Sequence, residues 1–289
     1  MKKLLFAIAV AVTAACSAVF AGDISEYVSA DSSVVVRVDV AALLNHPVLM
    51  NVINSSEALA KQLEFSQKAG CNIKDLQKAV ISVGTCGDGT LALRLSKKIV
   101  IADALKKFGD DFKQIEAGKY PIFARDSRAA VCQFADDVIV FGSVDDLKKF
   151  VSAKRAIPEA LKDFIPAKEK LAPVFAAYAV DGLKGNASCN FSGKDKKDLL
   201  ISAEFVFKKA KEAKQFVAML PMYIGMVSGM IFADAQELGA KVMQALKVSA
   251  VGNKVIVTLN ISAALVDEIA SMLDELGREA APVVPVPVK

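Results

Sequence analysis

Among its 289 residues the chain has no tryptophan and a single histidine, His46. One histidine cannot form a His-Glu-x-x-His zinc helix or any other multi-histidine metal centre. His46 stands directly before Pro47, where a short polar residue does capping work at a helix entrance, so it reads as structural rather than catalytic. The chain contains no Gly-x-Ser-x-Gly elbow, no serine followed three residues later by lysine and no Cys-x-x-Cys. Together these absences remove the commonest serine hydrolase, penicillin-binding and thiol-redox signatures. Without tryptophan, the usual platform for stacking sugars is missing as well. Charge of one sign is also lacking, with 36 Lys and Arg against 32 Asp and Glu. A balance so even provides no concentrated basic face for nucleic acid.

The glycine-rich stretch Gly84 to Gly89 follows a strand pattern, but Thr90 to Leu95 alternates as a second strand instead of opening a helix. It is a hairpin turn, not a phosphate loop. Paired acids occur at Asp110-Asp111, Asp136-Asp137 and Asp145-Asp146. The first two sit in loops or turns, and the third in a helix's first turn, where the dipole favours carboxylates. No cofactor and no metal site is expected from these patterns.

The N-terminus carries an address. Lys2 and Lys3 form a positive region, Leu4 to Val12 an apolar run, and Val19-Phe20-Ala21 places small residues where a signal peptidase reads. Residues 1–21 are expected to be a signal peptide, leaving Gly22 first and the chain exported, periplasmic or secreted. Removal of Lys2 and Lys3 leaves 34 basic against 32 acidic residues. A competing reading puts lipid on Cys16, preceded by Thr13-Ala14-Ala15; Thr13 stands where a lipobox usually has leucine, which favours cleavage after Ala21.

Of the five cysteines, Cys71, Cys86, Cys132 and Cys189 survive processing. Cys71 follows a glycine stop and Cys86 ends the next apolar run, which makes them the preferred disulfide pair in an exported chain. Cys132, inside Ala130 to Phe134, reads as a small buried residue.

The periodicities predict an α+β fold built as two related subdomains, each a mainly antiparallel sheet packed with helices. Strands are predicted at Ser33 to Asp39, Ala79 to Gly84, Leu91 to Leu95 and four further segments between Phe112 and Phe141. A helix opened by Pro47 is expected to run to about Ala69. Ser143 with Asp146 three residues on predicts a capping box, and Val144, Leu147, Phe150 and Val151 supply that helix's apolar stripe. The second half repeats the order of signals: Val180-Asp181 echoes Val38-Asp39, Ala210 to Phe216 echoes Ala102 to Phe108, and Val255-Ile256-Val257 echoes Val138-Ile139-Val140. We divide the chain into a first unit at 22–157, a linker at 158–172, a second unit at 173–277 ending at Gly277, and a flexible Pro/Val-rich tail at 278–289.

One segment exceeds ordinary core: Gln215 to Ala233 runs nineteen residues without a charge and holds four of the eight methionines. Pro221, Gly225 and Gly229 argue against a membrane span. Met219, Met222, Tyr223, Met226 and Met230 are the candidate ligand- or partner-binding residues.

Ala30 to Asp39 followed by a proline-opened helix resembles families of exported bacterial proteins of unknown function in which two α+β units repeat. That resemblance implies no activity and transfers no site residue. The expected function is accordingly that of an exported, non-enzymatic binding or structural protein taking a protein partner or a hydrophobic ligand. The alternatives are a periplasmic hydrolase whose acids converge only in the fold, and a protein or lipoprotein held at a membrane surface by peripheral contact.

Overall fold

The computed structural model describes residues 26–46, 73–84, 89–106, 112–117, 120–166, 172–192, 197–231 and 236–279. The signal region, the Pro47 to Ala69 helix, Cys71, Cys86, Asp110-Asp111 and the tail all lie outside these residues. The described residues form one antiparallel sheet of twelve strands with helices packed against it. This is the α+β class that the alternating patterns predict.

The strands are β1 (Ser32–Asp39), β2 (Leu76–Gly84), β3 (Gly89–Leu95), β4 (Lys113–Ala117), β5 (Tyr120–Ala124), β6 (Ala130–Ala135), β7 (Val138–Gly142), β8 (Val174–Val180), β9 (Leu183–Ser192), β10 (Asp198–Val206), β11 (Leu246–Val251) and β12 (Lys254–Ile261). Across the sheet the order is β11-β12-β10-β9-β8-β1-β2-β3-β7-β6-β5-β4. From the central β1/β8 pair, one side therefore runs 1-2-3-7-6-5-4 and the other 8-9-10-12-11. In both directions the third strand pairs with the last strand of its own stretch, and that last strand pairs with the one before it in sequence.

The junction is held by side chains as well as by the ladder. Val34 to Val38 of β1 pair in register with Tyr178 to Val174 of β8. Arg37, only 3% exposed, donates to the Ala172 carbonyl at 3.0 Å and pairs with Asp39 at 3.3 Å. Burial lowers the pKa of its guanidinium, and the nearby Asp39 carboxylate partly opposes that shift.

Among the described residues helices cover both faces of the first side and, beyond β9, one face of the second. On the first side, α3 (Val144–Ser152) lies under one face with Leu147 fully buried and Phe150 nearly so, beside Val80, Ile122 and Val140. Its capping box is formed as expected: the Ser143 hydroxyl accepts from the Asp146 amide at 3.1 Å, and the Asp146 carboxylate accepts from the Ser143 amide. Leu161, in the short helical turn Glu159–Phe164, is also fully buried on this face, so the connecting stretch contributes to the core. Burying such a side chain stabilises by about 1.5–3 kcal/mol. The opposite face of the same strands is covered by α1 (Val40–Leu44) and α2 (Ile101–Lys106). Asp39 ends β1 and opens α1, a short helix the sequence reading did not propose, by accepting from the Ala42 amide as its N-cap.

On the second side, α4 (Ala210–Ile231) and α6 (Ala263–Glu279) share one face, with α5 (Gln236–Gln244) packed beside them. Helix α6 starts at Ser262, whose hydroxyl accepts from the Leu265 amide, and continues past Gly277 to Glu279. Glycine costs a helix only about 1 kcal/mol, so it stops one only when the left-handed turn is taken. The β8–β9 hairpin turns through Asp181 and Gly182, both at positive φ (52° and 83°), as a two-residue connection of this twist requires.

One glycine is indispensable to this side. A Cβ on Gly185 would lie 1.9 Å from the Glu204 carbonyl oxygen and 2.6 Å from the Tyr178 hydroxyl. The missing side chain lets the Tyr178 phenol reach across β9 and donate to that carbonyl at 2.8 Å. Burial raises the pKa of this phenol, keeping it protonated and able to donate.

Candidate functional site

Helix α4 has apolar residues on two opposed faces, and the sheet covers one of them. Ala213, Phe216 and Leu220 are buried against Phe205, Tyr178 and Val255, with Val217 and Ile224 packed alongside. Phe216 meets Phe205 and Phe207 at ring separations of 5.0 and 5.2 Å. At 100° per residue, Met219, Met222 and Met226 point the other way. Their exposures are 40%, 63% and 50%. Tyr223 sits at the boundary, half-buried, while Met230 lies in the helix among residues whose side chains are not described. The candidate residues thus share a helix, and three of them form an exposed stripe. Among the described residues no helix is long and apolar enough to cross a membrane.

The remaining sequence candidates separate. The His46 ring stacks on Phe191 at 3.4 Å and 7°, at the exit of α1. Asp137 accepts from the Arg94 guanidinium at 2.7 Å, Asp136 pairs with Lys98, and Asp146 belongs to the α3 cap. Each of these carboxylates thus faces a cation or a helix end rather than another carboxylate. Cys132 and Cys189 are buried and not joined in a disulfide, and burial pushes the Cys132 thiol up to about 11, too high for a nucleophilic thiolate at neutral pH. Among the described residues no group of three His, Cys, Asp or Glu side chains could hold a metal ion.

Two features escaped the sequence reading. A cleft of about 290 Å³ lies where the Glu159–Phe164 turn meets β9, lined by Asp163, Phe164, Asn186, Ser188 and Asn190 among others. Asn186 donates there to the Phe164 carbonyl at 3.3 Å. The period of two along β9 could have placed these three polar residues on one face, although not under the turn. The second feature is a run of exposed lysines, Lys208, Lys209, Lys211 and Lys214, around the start of α4. Four cations within seven residues are legible in sequence; their position beside an exposed apolar stripe is not.

No protein-family model and no curated protein matches the chain. Among solved structures it is similar to crystal forms of the Treponema protein TP0453. Form III shares 12% identity with a TM-score of 0.47 over 88% of this chain and 98% of that one. For form IV the values are 12% and 0.45 over 89% and 97%. Form I gives 13% and 0.44 over 88% and 96%. Likeness at this level says nothing of what this chain binds.

Proposed function

We propose that this chain is an exported bacterial binding protein with no reaction of its own, and that the exposed methionine face of α4 is the surface it binds with. The observation that carries this reading is the 63% exposure of Met222, flanked by Met219 and Met226, on a helix whose opposite face is already seated on the sheet. Methionine is flexible and polarizable and suits surfaces that adapt to a protein partner or a hydrophobic ligand. An apolar stripe held out on a rigid, sheet-backed helix is more than scattered surface hydrophobicity. The N-terminal signal pattern supports export, and an intact mass beginning at Gly22 checks it, whereas lipid on Cys16 would contradict it.

The order of strands outward from β1/β8 supports two related α+β units at 22–157 and 173–277 joined through 158–172. In this reading the β4/β5 hairpin and the stretch between β1 and β2 are additions to the first unit.

The test uses the chain from Gly22, which contains every described element. An environment-sensitive apolar dye should bind it, and Met222→Asp with Met226→Asp should abolish the dye signal while leaving the melting temperature within about 2 °C, as surface changes do. An undiminished dye signal would remove this face from the function. A large fall in melting temperature would show that the face is core.

A further inference from the structure

The exposed stripe of α4 does not end in methionine. Followed toward the helix start, it passes from Met226, Met222 and Met219 to Gln215 and Lys211, with Lys214 on the flank and Lys208 and Lys209 just before the first turn, all exposed. Among the described residues these four lysines take part in none of the ion pairs. Helix stability does not explain them. A helix start carries partial positive charge and favours acids with a Ser, Thr, Asp or Asn cap. Here the Lys209 carbonyl accepts from the Glu212 and Ala213 amides at 3.1 and 3.3 Å, which puts a lysine at the cap, and Glu212 is the acid of the first turn. Cations gathered against the dipole break a local rule without a compensating contact in the fold, and such breaks mark function.

The shape narrows the partner. The inner face of α4 packs on β11 and β12, so the outer face is a ridge rather than a groove. A ridge has no walls to enclose a small ligand or clasp a peptide. It suits a surface that yields to it, with apolar side chains entering the boundary between headgroups and acyl chains while lysine ammonium groups stay among the phosphates.

We propose that α4 docks in the plane of an anionic lipid surface. Met219, Met222 and Met226 enter the headgroup boundary, and Lys208, Lys209, Lys211 and Lys214 contact lipid phosphates. This rests on the binding-surface reading above and names its partner. The inner face of α4, already seated on the sheet, and the lysines at its start keep it on the surface rather than across it.

The experiment is sedimentation of the chain from Gly22 with vesicles of phosphatidylcholine alone or mixed with phosphatidylglycerol, at low and high salt. Binding should be at least about tenfold stronger to the anionic vesicles and should fall at high salt. Each lysine near such a surface is worth about fivefold, so Lys211→Glu with Lys214→Glu should weaken binding by about 25-fold or more. Lys184→Glu with Lys247→Glu makes the same change of net charge on exposed positions of the other sheet face and should leave binding intact. Equal binding to neutral vesicles, equal loss from both charge pairs, or no vesicle binding at all would overturn the proposal. Should vesicle binding fail while the dye still binds through Met222 and Met226, the surface serves another occupant such as an acidic protein. Loss of both would sink the binding-surface reading too.

Discussion

The two sides of the sheet, β1-β2-β3-β7-β6-β5-β4 and β8-β9-β10-β12-β11, are wired alike and clothed differently. On the first side both faces are covered, α3 below one and α1 and α2 over the other, while the Leu161 turn lies below β8 and β9, where the second side begins. On the second side the three helices share one face. The other face carries aligned polar rows such as Ser188, Ser202, Thr258 and Lys247, paired strand to strand, and among the described residues beyond β9 no helix lies on it. The strands themselves explain the difference. Ala130, Val131 and Cys132 are buried in succession, as in a strand with apolar neighbours above and below. Along β10, Leu199, Ile201, Ala203 and Phe205 alternate with Leu200, Ser202, Glu204 and Val206, and the first set meets the helices. Strand order fixes which backbone pairs with which; side-chain alternation decides where helices can settle. Because the inner face of α4 is taken up by the sheet, its outward stripe of Met219, Met222 and Met226 stays exposed.

The comparison can be broken most forcefully at Gly185. Gly185→Val places carbon where the Glu204 carbonyl and Tyr178 hydroxyl stand, and should cost more than about 4 kcal/mol in denaturant unfolding, since backbone as well as side chain must move. A near-neutral result would mean that the β8-β9-β10 register is not the one described.

Leu147→Ala in α3 should cost about 3 kcal/mol, the range for emptying a fully buried leucine site, while Met222→Ala in α4 should change stability by less than about 0.5 kcal/mol. Chemical denaturation of both variants sets a clothed face against a bare one. Equal costs would erase the distinction between them.

Ser143→Ala removes the α3 cap and should cost about 1 kcal/mol. Lys209→Asp places a favourable cap on α4 and should raise stability slightly while weakening binding to anionic vesicles. Thermal melting checks both, and a stability loss from the second substitution would mean that the lysine serves the fold.

The smallest effect is alkaline. The Cys132 thiol is raised to about 11 by burial, so the folded chain holds its proton where the unfolded chain has begun to release it. Its contribution is therefore complete below the ordinary thiol range near 9 and is lost as pH rises toward 11. Cys132→Val should flatten part of the fall in melting temperature over that window. An unchanged slope would assign the fall to Tyr27 and Tyr178, whose phenols burial also raises.

Local chemistry made much of this molecule legible before any coordinates. Ser143 and Asp146 are a capping box because three residues separate a hydroxyl from a carboxylate at a helix start, and alternation of Ile201, Ala203 and Phe205 marks one face of β10. The nineteen-residue uncharged run identified α4 as unusual. Its period of 3.6 could not say which of two apolar stripes would meet the sheet, since both Phe216-Leu220 and Met222-Met226 satisfy it.

By itself the sequence determined the Ser143 capping box, the alternating strand β10 and the α+β class, each set by contacts a few residues apart. Tertiary structure alone decided that β1 and β8, more than a hundred residues apart, would pair and merge both stretches into one sheet. It also gave Gly185 its purpose, because the Tyr178 hydroxyl and Glu204 carbonyl that occupy its space come from two neighbouring strands. Pairing between distant strands depends on which edges remain open once local elements have formed, and on which faces are left apolar. Those are properties of the assembled surface, and no window of sequence contains them.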